Sequence, residues 1–358
     1  MPEKVLVGMS GGVDSSVAAY LLREQGCETL GITLRLFENE DIGLDRGHPC
    51  CSLDDVEDAR SVARTLGIPH RVFNFTGRFR EQVIDRFVSA YEQGLTPNPC
   101  IDCNRFIKFQ ELLLRARQLD YDCVATGHYA RIERDPGGRW LLKKALHGEK
   151  DQSYVLYAMT QERLARTRFP LGGLSKPEVR EIALEQGLVN ARKHDSQDIC
   201  FVPDGDYAAF IRRYTGREYP EGAFEDREGR VLGTHRGIIR YTLGQRKGLG
   251  LALPAPMYVC AKDMERNAVI LGSNEDLFSR ELDAGDLYLI ACDRIDAPLR
   301  VKAKVRYSQT EEWATVEQTE EDRLHVVFDR PQRAITPGQA VVLYDGDTVV
   351  GGGTILMK

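Results

Sequence analysis

The 358-residue sequence has no apolar run long enough to span a bilayer, no internal repeat and no low-complexity tract, which sets aside a helical membrane protein and a solenoid. It enters an apolar segment almost at its first residue, so no export signal is expected and the cytoplasm is the predicted location. It also lacks a positive balance. With a net charge of −6, contact with nucleic acid has to come from local patches rather than from the field of the whole chain. No second C-x-x-C follows Cys100-Ile-Asp-Cys103, so a closed four-cysteine zinc site has little support. An odd count of nine cysteines argues against a disulfide framework and for metal or redox chemistry. What remains is an ordinary globular composition, long enough for two or three domains.

The chain is organised around Ser10-Gly-Gly-Val-Asp-Ser-Ser16. Lys4 to Met9 reads as a buried strand, and Ser15 to Gly26 as an amphipathic helix closed by its C-terminal glycine. Between them, adjacent glycines let the backbone approach a ligand, and the first N–H groups of the helix point outward as anion receptors. The arrangement suits phosphate. The lysine and spacing of a Walker A loop are absent. The pattern instead resembles the PP-loop of ATP pyrophosphatases, which cleave ATP to AMP and pyrophosphate. That resemblance implies that the loop grips pyrophosphate and that Asp14 helps to hold Mg²⁺.

Strands at Cys27 to Phe37, His70 to Phe75 and Cys123 to Ala130 alternate with helices at Ser52 to Gly67, Gly77 to Gly94 and Phe106 to Leu119. This alternation predicts an α/β fold, a doubly wound parallel sheet whose ligands bind beyond the carboxyl ends of the strands. Glu38 to Pro49 reads as a loop ending in the pair Cys50-Cys51, which either lines that loop or joins the redox neighbourhood. Asp135-Pro-Gly-Gly138 reads as a hairpin turn, and Ser175-Lys-Pro-Glu178 as a capping box opening a helix. Tyr207 to Tyr214 looks helical, and Gly222 to Gly250 is glycine-rich, basic and irregular. From Asp286 onward short strands predict a C-terminal antiparallel β-barrel. The expected domains are a PP-loop catalytic domain at 1–200, a small central tRNA-contacting domain at 201–283 and the barrel at 284–358.

Leu95 to Asn104 contains two prolines and predicts a rigid exposed loop carrying Cys100 and Cys103. Cys200 follows a polar run, Asp195-Ser-Gln-Asp-Ile, whereas Cys27, Cys123, Cys260 and Cys292 read as core residues. Arg300, Lys302, Lys304 and Arg306 alternate with Val301, Ala303, Val305 and Tyr307, so a strand would put four cations on one face. Arg236, Arg240, Arg246 and Lys247 form a second basic stretch. Each stripe is either a solvated face or a set of phosphate contacts, and Tyr307 beside the first offers a stacking surface. His128 reads as a nucleotide or base contact or as a structural strand-end histidine.

Ser10–Ser16, Asn98-Pro99, Cys103-Asn104, Ile107-Lys-Phe109, Ala125-Thr-Gly-His-Tyr-Ala-Arg131, Lys150-Asp-Gln152, Phe169-Pro-Leu-Gly172, Asp195-Ser-Gln-Asp-Ile-Cys-Phe201 and Tyr241 to Gly250 together resemble the bacterial-type tRNA 2-thiouridylase family, which makes 2-thiouridine at the wobble position. The resemblance runs from the first strand to the terminal barrel. It implies that Gly8, Met9, Ser10, Gly11, Gly12, Val13, Asp14, Ser15, Leu34 and Gly127 bind ATP, with Leu34 standing where many members have Met. It implies that Asn98, Pro99 and Cys100 lie against the target base, and that Lys150, Asp151, Gln152, Arg306 and Tyr307 touch tRNA. Cys103 would be the nucleophile and general acid/base, and Cys200 the carrier of a persulfide sulfur. Both thiols are then expected to be exposed and of lowered pKa.

Many members carry Asp at the position of Cys100. With a third cysteine there, Cys100, Cys103 and Cys200 can instead hold a [4Fe–4S] cluster with one iron open to sulfide. Persulfide and cluster routes both stay open on the sequence. The implied cofactors are ATP and Mg²⁺. The implied partners are the anticodon stem-loop of tRNA and a sulfur donor, either a relay protein, a cysteine desulfurase or free sulfide. No membrane is involved, and a monomer is expected. The rival readings are another PP-loop ligase, which needs an amine acceptor and has no use for the cysteine pair, and a non-catalytic RNA-binding protein.

Overall fold

In the computed structural model, residues 1–38, 51–193 and 199–357 are described, with side chains from residue 54 onward in the helix that begins at Cys51. The expected loop after Glu38, the pair Cys50-Cys51 as side chains, and Asp195 to Asp198 therefore lie outside the described residues.

Strand β1 (Lys4–Gly8) carries Val5, Leu6 and Val7 with no exposed surface, as a central parallel strand requires. It is followed by α1 (Val13–Glu24), β2 (Glu28–Arg35), α2 (Cys51–Leu66) and β3 (His70–Asn74). The chain then crosses to β4 (Cys123–Ala125) and β7 (Thr167–Arg168), giving the parallel order β3-β2-β1-β4-β7 among the described residues. The order reverses between β1 and β4, and that switch point opens a crevice beyond their carboxyl ends. The α1, α2 and Lys176–Glu185 helices bury one face of the sheet around Val17, Ala18, Val62 and Val179. On the other face, Phe109, Leu112 and Tyr154 fill the core.

The expected strand at Cys123 to Ala130 is two pieces. β4 stops at Ala125, and β5 (Ala130–Arg134) turns away to pair with β6 (Trp140–Lys144) across the expected Asp135 to Gly138 turn. This hairpin does not join the parallel sheet. Through Thr348 opposite Lys143 it extends the sheet of the C-terminal barrel.

That barrel consists of β12 (Phe278–Leu289), β13 (Leu299–Lys304), β14 (Glu312–Glu320), β15 (Arg323–Arg333), β16 (Ala340–Asp345) and β17 (Thr348–Ile355), and β12 pairing with β17 closes it. Its inward residues are aliphatic, among them Val301, Ala303, Ala314 and Val326.

The stretch expected to be irregular, Gly222 to Gly250, instead supplies β8 (Gly222–Glu225) and β9 (Val231–His235). These pair with β10 (Tyr258–Asp263) and β11 (Ala268–Gly272) in the order β10-β11-β8-β9. Glycine here answers to close packing rather than to disorder. A Cβ on Gly222 would lie 2.1 Å from the Asn267 carbonyl oxygen. The helix Tyr207–Thr215 precedes this sheet and packs Phe210 and Ile211 against it and against the catalytic domain.

Candidate active site

The phosphate loop follows directly from β1. Gly12 is the N-cap of α1 and has no side chain to satisfy the first N–H groups, so these donors stay directed into the crevice. Serine hydroxyls shape the loop from within: Ser15 Oγ accepts the Ser10 N–H at 3.1 Å, and the Ser15 and Ser16 hydroxyls both donate to Gly12 O at 3.0 Å. Gly11 has φ +74° and sits where a Cβ would meet the Asp55 backbone at 2.4 Å, so both its conformation and its packing demand glycine. Gly127, after β4, is pressed against the same loop, where a Cβ would lie 2.7 Å from the backbone of Asp14 and Ser15. Gly8 to Ser15 and Gly127 are thus neighbours at the carboxyl ends of β1 and β4, with Met9 and Val13 buried in the core behind them. Leu34, half-buried, lies at the carboxyl end of the neighbouring β2.

Asp14 is held by two residues that sequence reasoning did not find. Tyr129 O–H donates to Asp14 Oδ1 at 2.7 Å, and Lys176 Nζ reaches the same oxygen at 2.6 Å. Lys176 gave only a helix signal, as the first residue after the Ser175 cap. Asn190 is a third. Its buried amide donates to Gly11 O and Ser16 Oγ, both at 2.9 Å, and nothing in its local sequence announces that. Mg²⁺ commonly takes one or two carboxylates and completes its shell with substrate phosphate and water. Asp14 at the lip of a phosphate loop fits that pattern, with both of these contacts falling on Oδ1.

The C-x-x-C is not on a loop. Asn98 caps a helix over residues 99–118, its Oδ1 accepting the Cys100 N–H at 3.2 Å, and Pro99 occupies the first helical position. There the missing N–H has no helical partner to lose, so proline opens this helix rather than forbidding it. From Cys103 to Glu111 the helix widens to i→i+5 bonding, a form enriched at functional sites. Cys100 opens to solvent, while Cys103, one turn on, is 8% exposed and joins a core with Phe37, Phe79 and Phe201. Phe201 and Val202 are also buried in that core, Phe201 edge-on to Phe87 at 5.2 Å, and this anchors the turn that presents Cys200 outward.

All three cysteines are free thiols. Contrary to the expectation of lowered values for Cys103 and Cys200, both are raised, and so is Cys100. Desolvation pushes the Cys103 thiol up to about 11, against the pull of the Lys108 cation. Desolvation likewise raises Cys200, and Cys103 and Cys100 add to it as charged neighbours. Cys100 is raised by desolvation and lowered by Lys108. The three sulfurs therefore feel one another. Yet among the described residues no three Cys, His, Asp or Glu side chains are arranged to hold a metal ion. The cluster route, left open beside the persulfide route on the sequence, thus finds no assembled ligand set in Cys100, Cys103 and Cys200 among the described residues.

Lys108 joins the two halves of the site. Its Nζ lies 3.5 Å from His128 Nε2, and the His128 ring is one residue from Gly127 on the wall of the phosphate crevice. Burial, then the Lys108 charge, drive His128 well below its usual range, so the ring is neutral. With Lys108 donating to Nε2, the proton sits on Nδ1 and is donated to Thr126 Oγ1 at 2.7 Å.

The other expected contact residues are distributed as follows. Asp151 accepts from the Ala145 and Ser153 N–H groups, and Gln152 exchanges backbone and side-chain bonds with Tyr129, so both brace the wall of the site. Lys150 is partly exposed beside them. Arg306 follows the end of β13 and turns inward, its Nη2 donating to Leu243 O, Ala334 O and Thr336 Oγ1, rather than sharing the outer face with Arg300, Lys302 and Lys304. Tyr307 is exposed and packs edge-on to Tyr154 at 6.0 Å. Its phenol is raised by desolvation, then by Asp151 and by Cys100. Arg236, Arg246 and Lys247 are exposed on the central domain, and Arg240 faces Asp206 at 3.9 Å. No helix among the described residues is long and apolar enough to cross a membrane.

Three family profiles tile the chain. The one described as a tRNA methyl transferase HUP domain matches residues 3–204, its PRC-barrel domain residues 208–273, and an aminomethyltransferase β-barrel domain residues 279–355. The chain is 52% identical over 356 residues to the tRNA-specific 2-thiouridylase MnmA of Clostridioides difficile, covering 99% of this chain and 98% of that protein. It is 53% identical over 356 residues to the protein of the same name from Acetivibrio thermocellus, covering 99% of each. Among solved structures, a 4-thiouridine synthetase in complex with RNA and ATP matches at 18% identity and a TM-score of 0.34, over 60% of this chain and 54% of that one.

Proposed function

Because the chain belongs to the tRNA-specific 2-thiouridylase family, we propose that it replaces O2 of the wobble uridine of tRNA with sulfur, in the cytoplasm and as a monomer, by adenylation followed by persulfide transfer. The observation that supports this reading is the Lys108–His128 contact, which joins the helix carrying Cys100 and Cys103 to the chain beside Gly127.

A uracil C2 carbonyl is a poor electrophile because its oxygen is a poor leaving group. Attack of that oxygen on the α-phosphate of ATP releases pyrophosphate into the loop Ser10 to Ser15 and leaves AMP on the base. Mg²⁺ at Asp14 would neutralise phosphate charge there. The terminal sulfur of a Cys200 persulfide then attacks C2 and AMP departs. The Cys103 thiolate attacks the Cys200 sulfur, the S–S bond to the base breaks with its electron pair going to the new thiocarbonyl, and a Cys103–Cys200 disulfide remains for an external thiol to reduce. In this reading the sulfur donor is a persulfide-bearing protein, Asn98 to Cys100 lie against the target base, and Lys150 and Tyr307 touch the tRNA. We place the domain limits at 1–200, 201–277 and 278–358, the barrel starting six residues before the expected 284 because β12 already pairs with β15 at Phe278.

Nucleoside mass spectrometry of unmodified tRNA, incubated with ATP, Mg²⁺ and a persulfide donor, is expected to show 2-thiouridine together with stoichiometric AMP. Absence of thiolated nucleoside with sulfide or persulfide, while ATP and tRNA still bind, would overturn the reading.

The raised Cys103 thiol gives the transfer step a pH dependence. Below a pKa of about 11 the thiolate fraction grows roughly tenfold per pH unit, so single-turnover transfer should accelerate from pH 7 to 10. Lys108→Met removes the cation that lowers this pKa. The profile should move to higher pH, with transfer at pH 7.5 slowed about threefold to tenfold and Lys108→Arg restoring most of it. Superimposable profiles of the wild type and Lys108→Met would refute the electrostatic role.

A further inference from the structure

An outward row of aromatic and cationic side chains runs along β13 and ends on an indole. Tyr307, 43% exposed, packs edge-on to Tyr154 at 6.0 Å. The Lys304 Nζ lies 6.0 Å from its ring centroid and 5.9 Å from that of Tyr154. Tyr154 belongs to the turn Ser153–Leu156, whose Val155 carbonyl accepts the Asn104 side-chain amide at 2.9 Å, so this end of the row is tied to the helix bearing Cys100 and Cys103. Two residues before Lys304 comes Lys302, directly opposite Trp313 on β14. Trp313 is 45% exposed, with the Lys302 Nζ 5.5 Å and the Arg300 guanidinium carbon 5.2 Å from its ring. Val301, Ala303 and Ala314 point into the barrel, which leaves these cations and the indole on the outside. Arg300 is fixed by a two-pronged pair with Asp329, which holds its guanidinium beside the Trp313 ring.

We propose that Tyr307, Lys304, Lys302 and Trp313 form a track for the single-stranded RNA flanking the target base, with the Trp313 indole as its outer stacking platform. Charge and shape favour RNA over a protein. Exposed aromatic rings at both ends flank Lys302 and Lys304, which share one face of β13 two residues apart, about 6.6 Å, and such a set offers bases a ring to stack on and phosphates a cation. The proposal rests on the tRNA-thiolation reading and names where the substrate runs beyond the reacting base.

The test uses the full chain with Trp140→Phe, which leaves Trp313 as the sole tryptophan. Titration with an anticodon stem-loop RNA is expected to quench the remaining indole emission and to saturate at the binding constant. Trp313→Ala should raise the KM for tRNA about fivefold with kcat unchanged, and Trp313→Phe should restore most of it. Unchanged emission at saturating RNA, or an unchanged KM in Trp313→Ala, overturns the track. So does weakened binding of the persulfide-bearing donor protein with RNA affinity intact, which would make this a protein-docking face. Quenching by RNA without formation of 2-thiouridine would instead refute the thiolation reading and leave the track standing.

Discussion

Serine at either Cys103 or Cys200 is expected to stop formation of 2-thiouridine, by about 10³-fold or more, while ATP- and tRNA-dependent release of pyrophosphate continues. A hydroxyl carries no sulfane sulfur and does not open an S–S bond at neutral pH. The two variants should fail differently. Cys200→Ser should take up no label from a ³⁵S-persulfide donor. Cys103→Ser should load normally, and its Cys200 should end in a reducible S–S link to the RNA if attack on C2 comes before resolution. If Cys103 first liberates sulfide, that link should be absent and the label should stay on Cys200. Cys103 lies in an apolar core, where an unpartnered serine hydroxyl costs about 1–3 kcal/mol, so continued ATP- and tRNA-dependent pyrophosphate release by Cys103→Ser is the control that separates lost chemistry from unfolding. Cys100→Ser removes a thiol with no place in the transfer sequence, so it should keep the rate of sulfur transfer from a loaded Cys200, any loss appearing as a higher KM for tRNA because in this reading Cys100 lies against the target base. Substantial thiolation by either Cys103→Ser or Cys200→Ser would sink the two-cysteine assignment.

The phosphate loop was legible from sequence because its physics is local: a strand, glycines that free the backbone, and a helix start follow one another within a dozen residues. The parallel sheet was legible for the same reason, since alternation of strands and helices is written along the chain. Three features were not. Proline before Cys100 reads as a helix breaker unless its position relative to the Asn98 cap is known, and at the first helical position it has the opposite meaning. The hairpin of β5 and β6 has an unmistakable turn, yet nothing local tells which sheet it will join, and its partner β17 lies some two hundred residues away. The thiol pKa values depend on how Phe201, Phe79 and the widened helix enclose Cys103, a tertiary outcome that reverses what exposure on a loop would give. Lys108, Lys176 and Asn190 belong to the same class. Each acts across the fold on a motif that names only itself.

Asp14→Asn should produce the mirror image of the cysteine variants. Adenylation should fall by about 100-fold or more, while Cys200 still accepts sulfur from a persulfide donor. The carboxylate holds Tyr129 O–H at 2.7 Å and Lys176 Nζ at 2.6 Å on one oxygen, and it stands at the start of α1, where it meets any cation that accompanies the phosphates. An amide keeps the shape and an acceptor oxygen but withdraws the charge. That leaves the largely buried Lys176 ammonium without its counter-ion and the Mg²⁺ without its carboxylate. The amine would then be drawn onto the pyrophosphate itself. Nucleotide should therefore still bind, and the loss should appear in the rate of pyrophosphate release rather than in nucleotide affinity. Raising Mg²⁺ should recover part of the rate in Asp14→Asn, because a weakened metal site fills by mass action. Lys176→Ala, which leaves the carboxylate intact, should show no such recovery. A normal rate of pyrophosphate release in Asp14→Asn would remove Asp14 from the adenylation step and leave it as a packing partner of Tyr129 and Lys176.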